Sequence, residues 1–132
     1  MTETSDAFNT LNYKIGNHFV RSEFACKCGC GFDTVDTTLL HLLEYIRIEL
    51  KSPIIITSGC RCPTHNTNIG GSKNSYHMQG RAVDIKCRDV FFETLKATVD
   101  KHMDGWGGVG YYPNGGWIHI DTRSGAFARW SQ

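Results

Sequence analysis

The chain has 132 residues, which is enough for one compact domain with a hydrophobic core but too short for two ordinary domains. Hydrophobic residues make up 40% of the chain and charged residues 20%, a composition that is typical of globular proteins and excludes intrinsic disorder. The formal net charge of +1 argues against nucleic-acid binding and against an acidic solvating role. We therefore expect a single domain over residues 1–132.

The N-terminal stretch MTETSDAFNTLNYK is polar and lacks the apolar segment of a secretory signal. No apolar run approaches the roughly 20 residues that span a bilayer. We therefore expect synthesis in the cytoplasm and no insertion into a membrane, so that action outside the cell requires release by another protein. Residues 1–20 show little periodicity and are predicted to be an entry segment.

The stretch VDTTLLHLLEYIRIEL predicts the first helix, because its apolar residues recur at helical spacing at positions 39, 42, 43, 46 and 50. Asp36 or Thr37 is a suitable N-cap, and Pro53 prevents the helix from continuing. The β-branched run at 53–58 then predicts a buried strand.

Residues 59–75 are rich in Gly, Cys, Pro, Asn and Ser and predict a long loop, a feature that is often functional in compact domains. The alternating stretch AVDIKC predicts a strand at 82–87. A second helix is predicted at 88–103 with Asp89 as its N-cap. Two strands then follow, WGGVGYY and WIHIDT, joined by the turn PNGG. This order predicts an α+β domain with a small, mostly antiparallel sheet.

The chain contains six cysteines, and five of them fall between the entry segment and the end of the predicted loop. In a chain without a secretory signal, free thiols or metal ligands are expected rather than disulfides. The spacing C-x-C-x-C at Cys26–Cys30 is not the C-x-x-C of zinc knuckles. Plain thiols and a structural metal or cross-link both stay open, and the pattern assigns no role to the six cysteines: Cys26, Cys28, Cys30, Cys60, Cys62 and Cys87.

The predicted strand WIHIDT places polar and apolar side chains on opposite faces of the sheet. Because side chains alternate along a strand, Trp117, His119 and Asp121 share one face, while Ile118 and Ile120 share the other. The isoleucines suit the core, so the polar residues are expected to face a cleft. In the strand AVDIKC the central aspartate likewise points away from its apolar neighbours.

Together these strands and the end of the long loop offer a candidate metal site. Two His nitrogens and a carboxylate oxygen, with water in the fourth position, form a recognised catalytic zinc site, and His77, Asp84 and His119 fit it. The chain has no H-E-x-x-H motif, which excludes the helix-borne zinc site of the common metalloproteases. From the pattern alone, the histidines could equally be ordinary hydrogen-bonding residues and Asp84 a turn or cap residue.

The stretch SYHMQGRAVDI resembles the S-x-H-x-x-G-x-A-x-D signature of the zinc D-Ala-D-Ala carboxypeptidase family. That family includes D-Ala-D-Ala dipeptidases and phage L-alanyl-D-glutamate endolysins, and it shares its fold with the hedgehog signalling domain. ITSGCRCPTHNTNIGG is similar to the family's S-G-x-R stretch, and GGVGYYPNGGWIHIDTR to the last metal-ligand strand of its murein endopeptidase branch. Every fixed position of the signature is matched, at Ser75, His77, Gly80, Ala82 and Asp84.

The resemblance implies an α+β fold with helices packed on one face of the sheet, and a zinc ion bound by His77, Asp84 and His119. It also implies that Arg61 lines the site, where a guanidinium suits a carboxylate or a developing oxyanion. Ser75 is expected to form hydrogen bonds within the site or to the substrate. Trp117, on the same strand face as the last metal ligand, is the best aromatic candidate for a substrate-binding wall.

The general base is not evident. Several relatives carry an Asp or Glu three to six residues before the last His, where this chain has the turn PNGG. The nearest carboxylate is Asp121, which we consider as the general base or as the group that orients it. Alternatively, Asp121 is an acceptor that holds His119 or Arg123. His102 and Asp104 are more distant candidates.

The resemblance favours a zinc-dependent peptidase that hydrolyses an amide bond in the peptide stem or cross-link of bacterial peptidoglycan. We expect a monomeric enzyme of phage or prophage lysis, or a virion-associated one. The alternative is a catalytically silent zinc-containing binding or virion structural module of the same fold. A redox or nucleic-acid module built on Cys26–Cys30 is disfavoured by the near-neutral charge and the lack of C-x-x-C.

Overall fold

The computed structural model describes residues 14–132, so most of the predicted entry segment lies outside the described residues. Within this range the chain forms helices α1–α3, strands β1–β5 and two 3₁₀ turns. In chain order these are a 3₁₀ turn at Arg21–Phe24, α1 at Thr37–Leu50, β1 at Ile54–Ser58, α2 at Pro63–Asn68, a 3₁₀ turn at Tyr76–Gln79, β2 at Ala82–Cys87, α3 at Phe92–His102, β3 at Gly108–Tyr112, β4 at Trp117–Asp121 and β5 at Ala128–Ser131.

The five strands form a single sheet in the order β1-β2-β4-β3-β5. The pairs β1–β2, β2–β4 and β3–β4 are antiparallel, and only the edge strand β5 runs parallel to its neighbour β3. The predicted α+β class and mostly antiparallel sheet are therefore confirmed. Within the described range, no helix has the length and apolar character needed to cross a bilayer.

Helix α1 begins and ends where the sequence predicts. The Asp36 carboxylate accepts a hydrogen bond from the backbone N–H of Leu39 at 3.3 Å, which satisfies one of the free donors at the helix start. Lys51 ends the helix in the left-handed conformation, with φ of 53°. Four of the five apolar residues from which the helix was predicted are buried, namely Leu39, Leu42, Leu43 and Ile46.

Three details of the sequence prediction were wrong. Helix α3 begins at Phe92 with Phe91 as its N-cap, whereas Asp89 accepts a hydrogen bond from the Ser52 hydroxyl at 3.4 Å and caps nothing. The predicted loop contains the short helix α2, which has a proline at its first position. Strand β5 was not predicted, because its four residues form a strand only by pairing with the distant β3.

The sheet separates an apolar face from a polar one. Val83 and Ile85 of β2 and Ile118 and Ile120 of β4 are fully buried in the core with side chains from α1 and α3. Burying each such side chain contributes about 1.5–3 kcal/mol, so the orientation of both strands is strongly determined. The two long helices therefore cover one face, and the residues between these apolar positions point to the other.

A β-bulge in β1 extends the polar face. Ile56 pairs with Ile85, but the next registered pair is Ser58 with Asp84, which leaves Thr57 as the extra residue. In a regular strand without a bulge, Ser58 would lie two residues after Ile56 on the same face and point into the core. The bulge turns Ser58 to the face that carries Asp84.

Gly80 is a position where backbone geometry requires glycine. It ends the second 3₁₀ turn with φ of 68°, and a Cβ there would lie 2.6 Å from the carbonyl oxygen of Thr34. We expect Gly80→Ala to lower the free energy of unfolding by about 2–3 kcal/mol, since it adds a backbone clash to the left-handed strain. Urea unfolding checks this.

Gly105→Ala is the matched control, because Gly105 has a similar φ of 77° and nothing within 4 Å of the added methyl group. It should cost only the conformational strain, about 1–2 kcal/mol. Equal losses in the two variants would contradict a role for the close approach to Thr34.

Candidate metal centre and substrate cavity

The antiparallel pairing of β2 with β4 places Asp84 directly opposite His119. His77 reaches the same point from the 3₁₀ turn that precedes β2. One ligand atom from each of the three residues lies within 4.8 Å of the other two. The fold thus brings the three predicted metal ligands together on the polar face of the sheet.

The His77 ring is fixed in one orientation. The Ser75 hydroxyl accepts the backbone N–H of His77 at 3.1 Å, and the ring Nδ1 lies 2.7 Å from the carbonyl oxygen of Gly59. Because a carbonyl only accepts, Nδ1 carries the proton and Nε2 has a bare lone pair. This Nε2 is buried, has no hydrogen-bond partner among the described residues, and lies 3.3 Å from Asp84 Oδ1.

His119 lies between two carboxylates. Its Nδ1 is 3.1 Å from Asp84 Oδ1, and its Nε2 is 2.8 Å from Asp121 Oδ2. Burial by itself lowers the pKa of His119, but Asp121 and Asp84 outweigh it and raise the pKa above its usual value. When Nε2 donates its proton to Asp121, Nδ1 has a bare lone pair that faces the Asp84 carboxylate. A cation or a second proton is then required between Nδ1 and Asp84.

The Asp84 carboxylate completes a donor set that suits zinc. Burial raises its pKa, but the neighbouring His119 and His77 rings outweigh this effect and hold the pKa at about 2. The distances of 3.1 and 3.3 Å from Oδ1 to the two nitrogens match the roughly 3.3 Å that separates nitrogen and oxygen ligands around a tetrahedral zinc ion. A bare imidazole nitrogen facing a carboxylate is unfavourable unless a cation lies between them, so these residues fit the metal.

Arg61 lies beside this donor set and is held by three side chains. Its Nη2 is 3.3 Å from Asp84 Oδ2, its Nε donates to the Ser58 hydroxyl at 3.1 Å, and its Nη1 donates to Asn66 Oδ1 at 3.1 Å. Asn66, which is buried, in turn donates to the Ser72 carbonyl at 2.8 Å. A guanidinium has five N–H donors, so two remain for a bound ligand.

Asp121 is fully buried and fully paired. Arg123 binds it in bidentate fashion, with Nε at 2.8 Å from Oδ1 and Nη2 at 2.7 Å from Oδ2, and the backbone N–H of Arg123 donates to Oδ1 at 3.1 Å. Burial raises the pKa of Asp121, but Arg123 and His119 outweigh it and hold the pKa well below its usual range. The carboxylate is therefore an anion whose two oxygens both accept hydrogen bonds from neighbouring side chains.

Aromatic side chains form one wall of the site. Trp117 stacks on Tyr112 with ring centroids 3.7 Å apart, and Trp130 lies 5.1 Å from the His119 ring. The Trp130 indole donates to the Tyr112 hydroxyl at 2.9 Å. It fits there because its strand partner is Gly110, where a Cβ would lie 2.4 Å from the indole ring.

Sequence reasoning missed Trp130, Arg123 and Asn66 as residues of the site. Arg123 had been considered only as a partner of Asp121, but its guanidinium also lies 4.9 Å from the Tyr76 ring and 5.5 Å from Trp130. Trp130 carries no local signal, since its place depends on the pairing of β5 with β3. Only the nearby S-G-x-R motif could have drawn attention to Asn66.

The polar face of the sheet at this site lines an open cavity of about 700 Å³. Arg61, Ser75 and Trp117 all contribute to it, together with the three predicted metal ligands. Among the described residues, the only side-chain carboxylates on its walls are those of Asp84 and Asp121. The more distant base candidates do not line it: Asp104 is exposed, and His102 is engaged with Glu49 at 3.0 Å.

The sequence was compared with protein families and with individual proteins. The model of the family described as peptidase M15 matches residues 17–121. The chain belongs to the peptidase M15 family. This agrees with the resemblance found in the motifs, because one relative of the chain is named a zinc D-Ala-D-Ala carboxypeptidase.

Three relatives illustrate the similarity. The peptidoglycan L,D-endopeptidase MepK of Escherichia coli K12 is 31% identical over 114 residues, covering 80% of this chain and 59% of that protein. A probable MepK of Haemophilus influenzae is 42% identical over 53 residues, covering 40% of this chain and 27% of the relative. The zinc D-Ala-D-Ala carboxypeptidase of Streptomyces albus G is 34% identical over 80 residues, covering 60% of this chain and 31% of that protein. The chain thus spans about three-fifths of the length of the E. coli relative.

The contacts of Asp121 generate a prediction for metal binding. Asparagine at this position still accepts from His119 Nε2 but loses the ion pair with Arg123 and makes the imidazole less basic. We expect Asp121→Asn to weaken zinc affinity by about 10–100-fold, as is found for groups that orient a metal-binding histidine. Competition with a fluorescent zinc chelator measures the affinity.

Asp100→Asn serves as the control, because Asp100 pairs with Lys96 and Tyr111 and does not line the cavity. It should leave zinc affinity unchanged. A different result would contradict this role of Asp121. If Asp121→Asn binds zinc as tightly as the unmodified protein but has lost peptidase activity, Asp121 acts as the general base and not as a group that orients His119.

Proposed function

We propose that this protein is a zinc-dependent peptidase that hydrolyses an amide bond in the peptide stem or cross-link of bacterial peptidoglycan. The observation that carries the proposal is the buried Nε2 of His77, which has no hydrogen-bond partner among the described residues and lies with Asp84 and His119 in the lining of an open cavity. Membership of the peptidase M15 family, and relatives named as a peptidoglycan endopeptidase and a D-Ala-D-Ala carboxypeptidase, support the substrate class.

His77 Nε2, Asp84 Oδ1 and His119 Nδ1 would hold the zinc ion. A zinc ion with three protein ligands supplies Lewis acidity, which polarises a carbonyl group and lowers the pKa of water to about 7. The protein fixes both histidine tautomers in advance, His77 through the Gly59 carbonyl and His119 through Asp121. The lone pairs therefore point at a common centre without rearrangement.

Arg61 is our candidate for holding the substrate and the negative charge that develops during amide hydrolysis. Its three side-chain contacts keep the guanidinium beside Asp84, and its two remaining donors can reach a carboxylate or an oxyanion in the cavity. Ser75, whose oxygen accepts from His77, keeps its hydroxyl proton for the substrate. Trp117, stacked on Tyr112, offers a flat apolar surface for the peptide stem.

We propose that Asp121 orients His119 rather than removing a proton from water. Both of its oxygens are engaged by Arg123 and His119, and its depressed pKa makes it a weak base. This leaves the cavity walls, as far as the structure describes them, without a side-chain carboxylate free to act as base. That feature is the specific support for the second candidate function, a zinc-containing binding or virion structural module without turnover.

The deciding experiment is digestion of purified peptidoglycan by the zinc-loaded protein, with soluble products identified by mass spectrometry. We expect stem-peptide fragments that depend on zinc and that are absent with His119→Ala, because loss of Nδ1 removes one of three ligands. The masses of the fragments identify the bond, and thus distinguish carboxypeptidase from endopeptidase activity. Bound zinc with no product from several peptidoglycan types would instead support the binding module.

Arg61→Lys tests the guanidinium separately from the metal. Lysine keeps the positive charge but cannot donate to Ser58, Asn66 and Asp84 at once. We expect kcat/KM on peptidoglycan fragments to fall by about 10²–10³-fold, the loss typical of removing an oxyanion donor, with zinc content unchanged. Lys96→Arg is the control, because Lys96 lies on helix α3 and does not line the cavity. An unchanged kcat/KM in Arg61→Lys would contradict a role for Arg61 beyond supplying charge.

The same peptidase resembles endolysins, and we propose a lytic role of the phage or prophage type for it. The test is lysis of chloroform-permeabilised bacteria by added protein, which should be lost with His119→Ala. If the turbidity of the bacterial suspension does not fall although the protein releases fragments from purified peptidoglycan, the result would argue for a peptidase of wall maintenance instead.

A further inference from the structure

A second cluster of metal-ligating side chains lies outside the peptidase site. The sulfur atoms of Cys26, Cys28, Cys30 and Cys62 all lie within 4.8 Å of one another. We propose that these four cysteines bind a structural zinc ion as a tetrathiolate site, separate from the His77–Asp84–His119 centre. The proposal does not depend on peptidase activity.

The sulfur–sulfur distances suit a tetrahedral metal ion. Sγ of Cys28 lies 3.5 Å from that of Cys26 and 3.7 Å from that of Cys62. Thiolates about 2.3 Å from a tetrahedral zinc ion lie about 3.8 Å from one another, so small rotations of the side chains would complete the site. Four sulfur ligands in a tetrahedron select zinc over magnesium or calcium, which prefer oxygen.

Two glycines explain how the irregular spacing C-x-C-x-C can form such a site. In an extended strand, alternate cysteines would share a face but lie about 6–7 Å apart along it. Here Gly29 and Gly31 both have positive φ, 82° and 92°, and no atom within 4 Å of an added Cβ. The loop therefore turns around the sulfurs, and it is closed by a hydrogen bond from the Cys26 N–H to the Phe32 carbonyl at 2.7 Å.

The backbone around the cluster also provides donors to sulfur. The N–H of Cys62 points at Cys26 Sγ at 3.4 Å, and the N–H of His65 points at Cys62 Sγ at 3.4 Å. N–H groups directed at sulfur stabilise thiolates, which are the form that binds metal. Binding would displace the remaining thiol protons to solvent.

The remaining two cysteines form hydrogen bonds with backbone carbonyls and are not part of the cluster. Cys60 donates to the Phe32 carbonyl at 2.9 Å, and Cys87 to the Pro53 carbonyl at 3.3 Å. Cys26 is buried, whereas Cys28 and Cys30 are exposed. The cluster therefore lies at the surface, where an ion can enter.

The position of the cluster indicates what the ion would do. Residues 59–62 contact both sites. The Gly59 carbonyl accepts from His77 and Arg61 contacts Asp84, whereas Cys62 belongs to the cluster. A tetrathiolate ion would fasten this segment to the Cys26–Phe32 loop. It would thereby fix the backbone that positions Arg61 and the His77 ring.

The experiment is to count zinc ions per chain by elemental analysis of protein purified without chelator. We expect two ions in the unmodified chain, one in His119→Ala, one in the double variant Cys28→Ser/Cys30→Ser, and two in the control Cys87→Ser. One ion in the unmodified chain, none in His119→Ala and one in the cysteine double variant would overturn the proposal. If instead the peptidase centre fails to bind, the unmodified chain and His119→Ala each hold one ion and the cysteine double variant none.

Cobalt substitution of the unmodified chain keeps the test independent of whether the variants fold. Four thiolates give intense sulfur-to-cobalt charge-transfer bands in the near ultraviolet, whereas a site of two imidazoles and a carboxylate gives none. We expect these bands to appear and to be lost on addition of zinc. Their absence, or an intact mass that shows the cysteines joined as disulfides, would overturn the proposal.

Discussion

The pairing of β2 with β4 is the constraint on which the rest of the molecule depends. Its register sets Val83 and Ile85 beside Ile118 and Ile120 on the core face, and Asp84 beside His119 on the other. A slip of one residue would bury the ligands and expose the apolar side chains. The free energy that stabilises the core therefore also holds two of the three proposed metal ligands opposite each other.

Around this pair, each ligand is oriented by groups from other parts of the chain. The Gly59 carbonyl selects the tautomer of His77, and Asp121, held by Arg123, selects that of His119. The bulge in β1 turns Ser58 to the same face, where it supports Arg61. Preorganisation of this kind avoids reorganisation when charge develops in a reaction.

The segment 59–62 connects this site to the cysteine cluster. It leaves β1, passes beneath His77, supplies Arg61 and reaches Cys62 within four residues. Backbone hydrogen bonds from Cys60 to the Phe24 carbonyl and from Arg61 to the His77 carbonyl, both 2.9 Å, hold it on either side. Few apolar side chains are available to pack a loop so rich in glycine, cysteine and asparagine, which is why hydrogen bonds and, as we propose, a metal ion hold it.

The sequence by itself determined helix α1, strands β1 to β4, the ligands His77, Asp84 and His119 as candidates, and the family to which the chain belongs. Each of these follows from local periodicity, caps or a contiguous motif. Only the tertiary structure decided that β5 brings Trp130 to the His119 ring and that Cys62 joins Cys26, Cys28 and Cys30. These contacts depend on long-range strand pairing and on a loop shaped by positive-φ glycines, and sequence spacing does not encode the distance between residues that are remote along the chain.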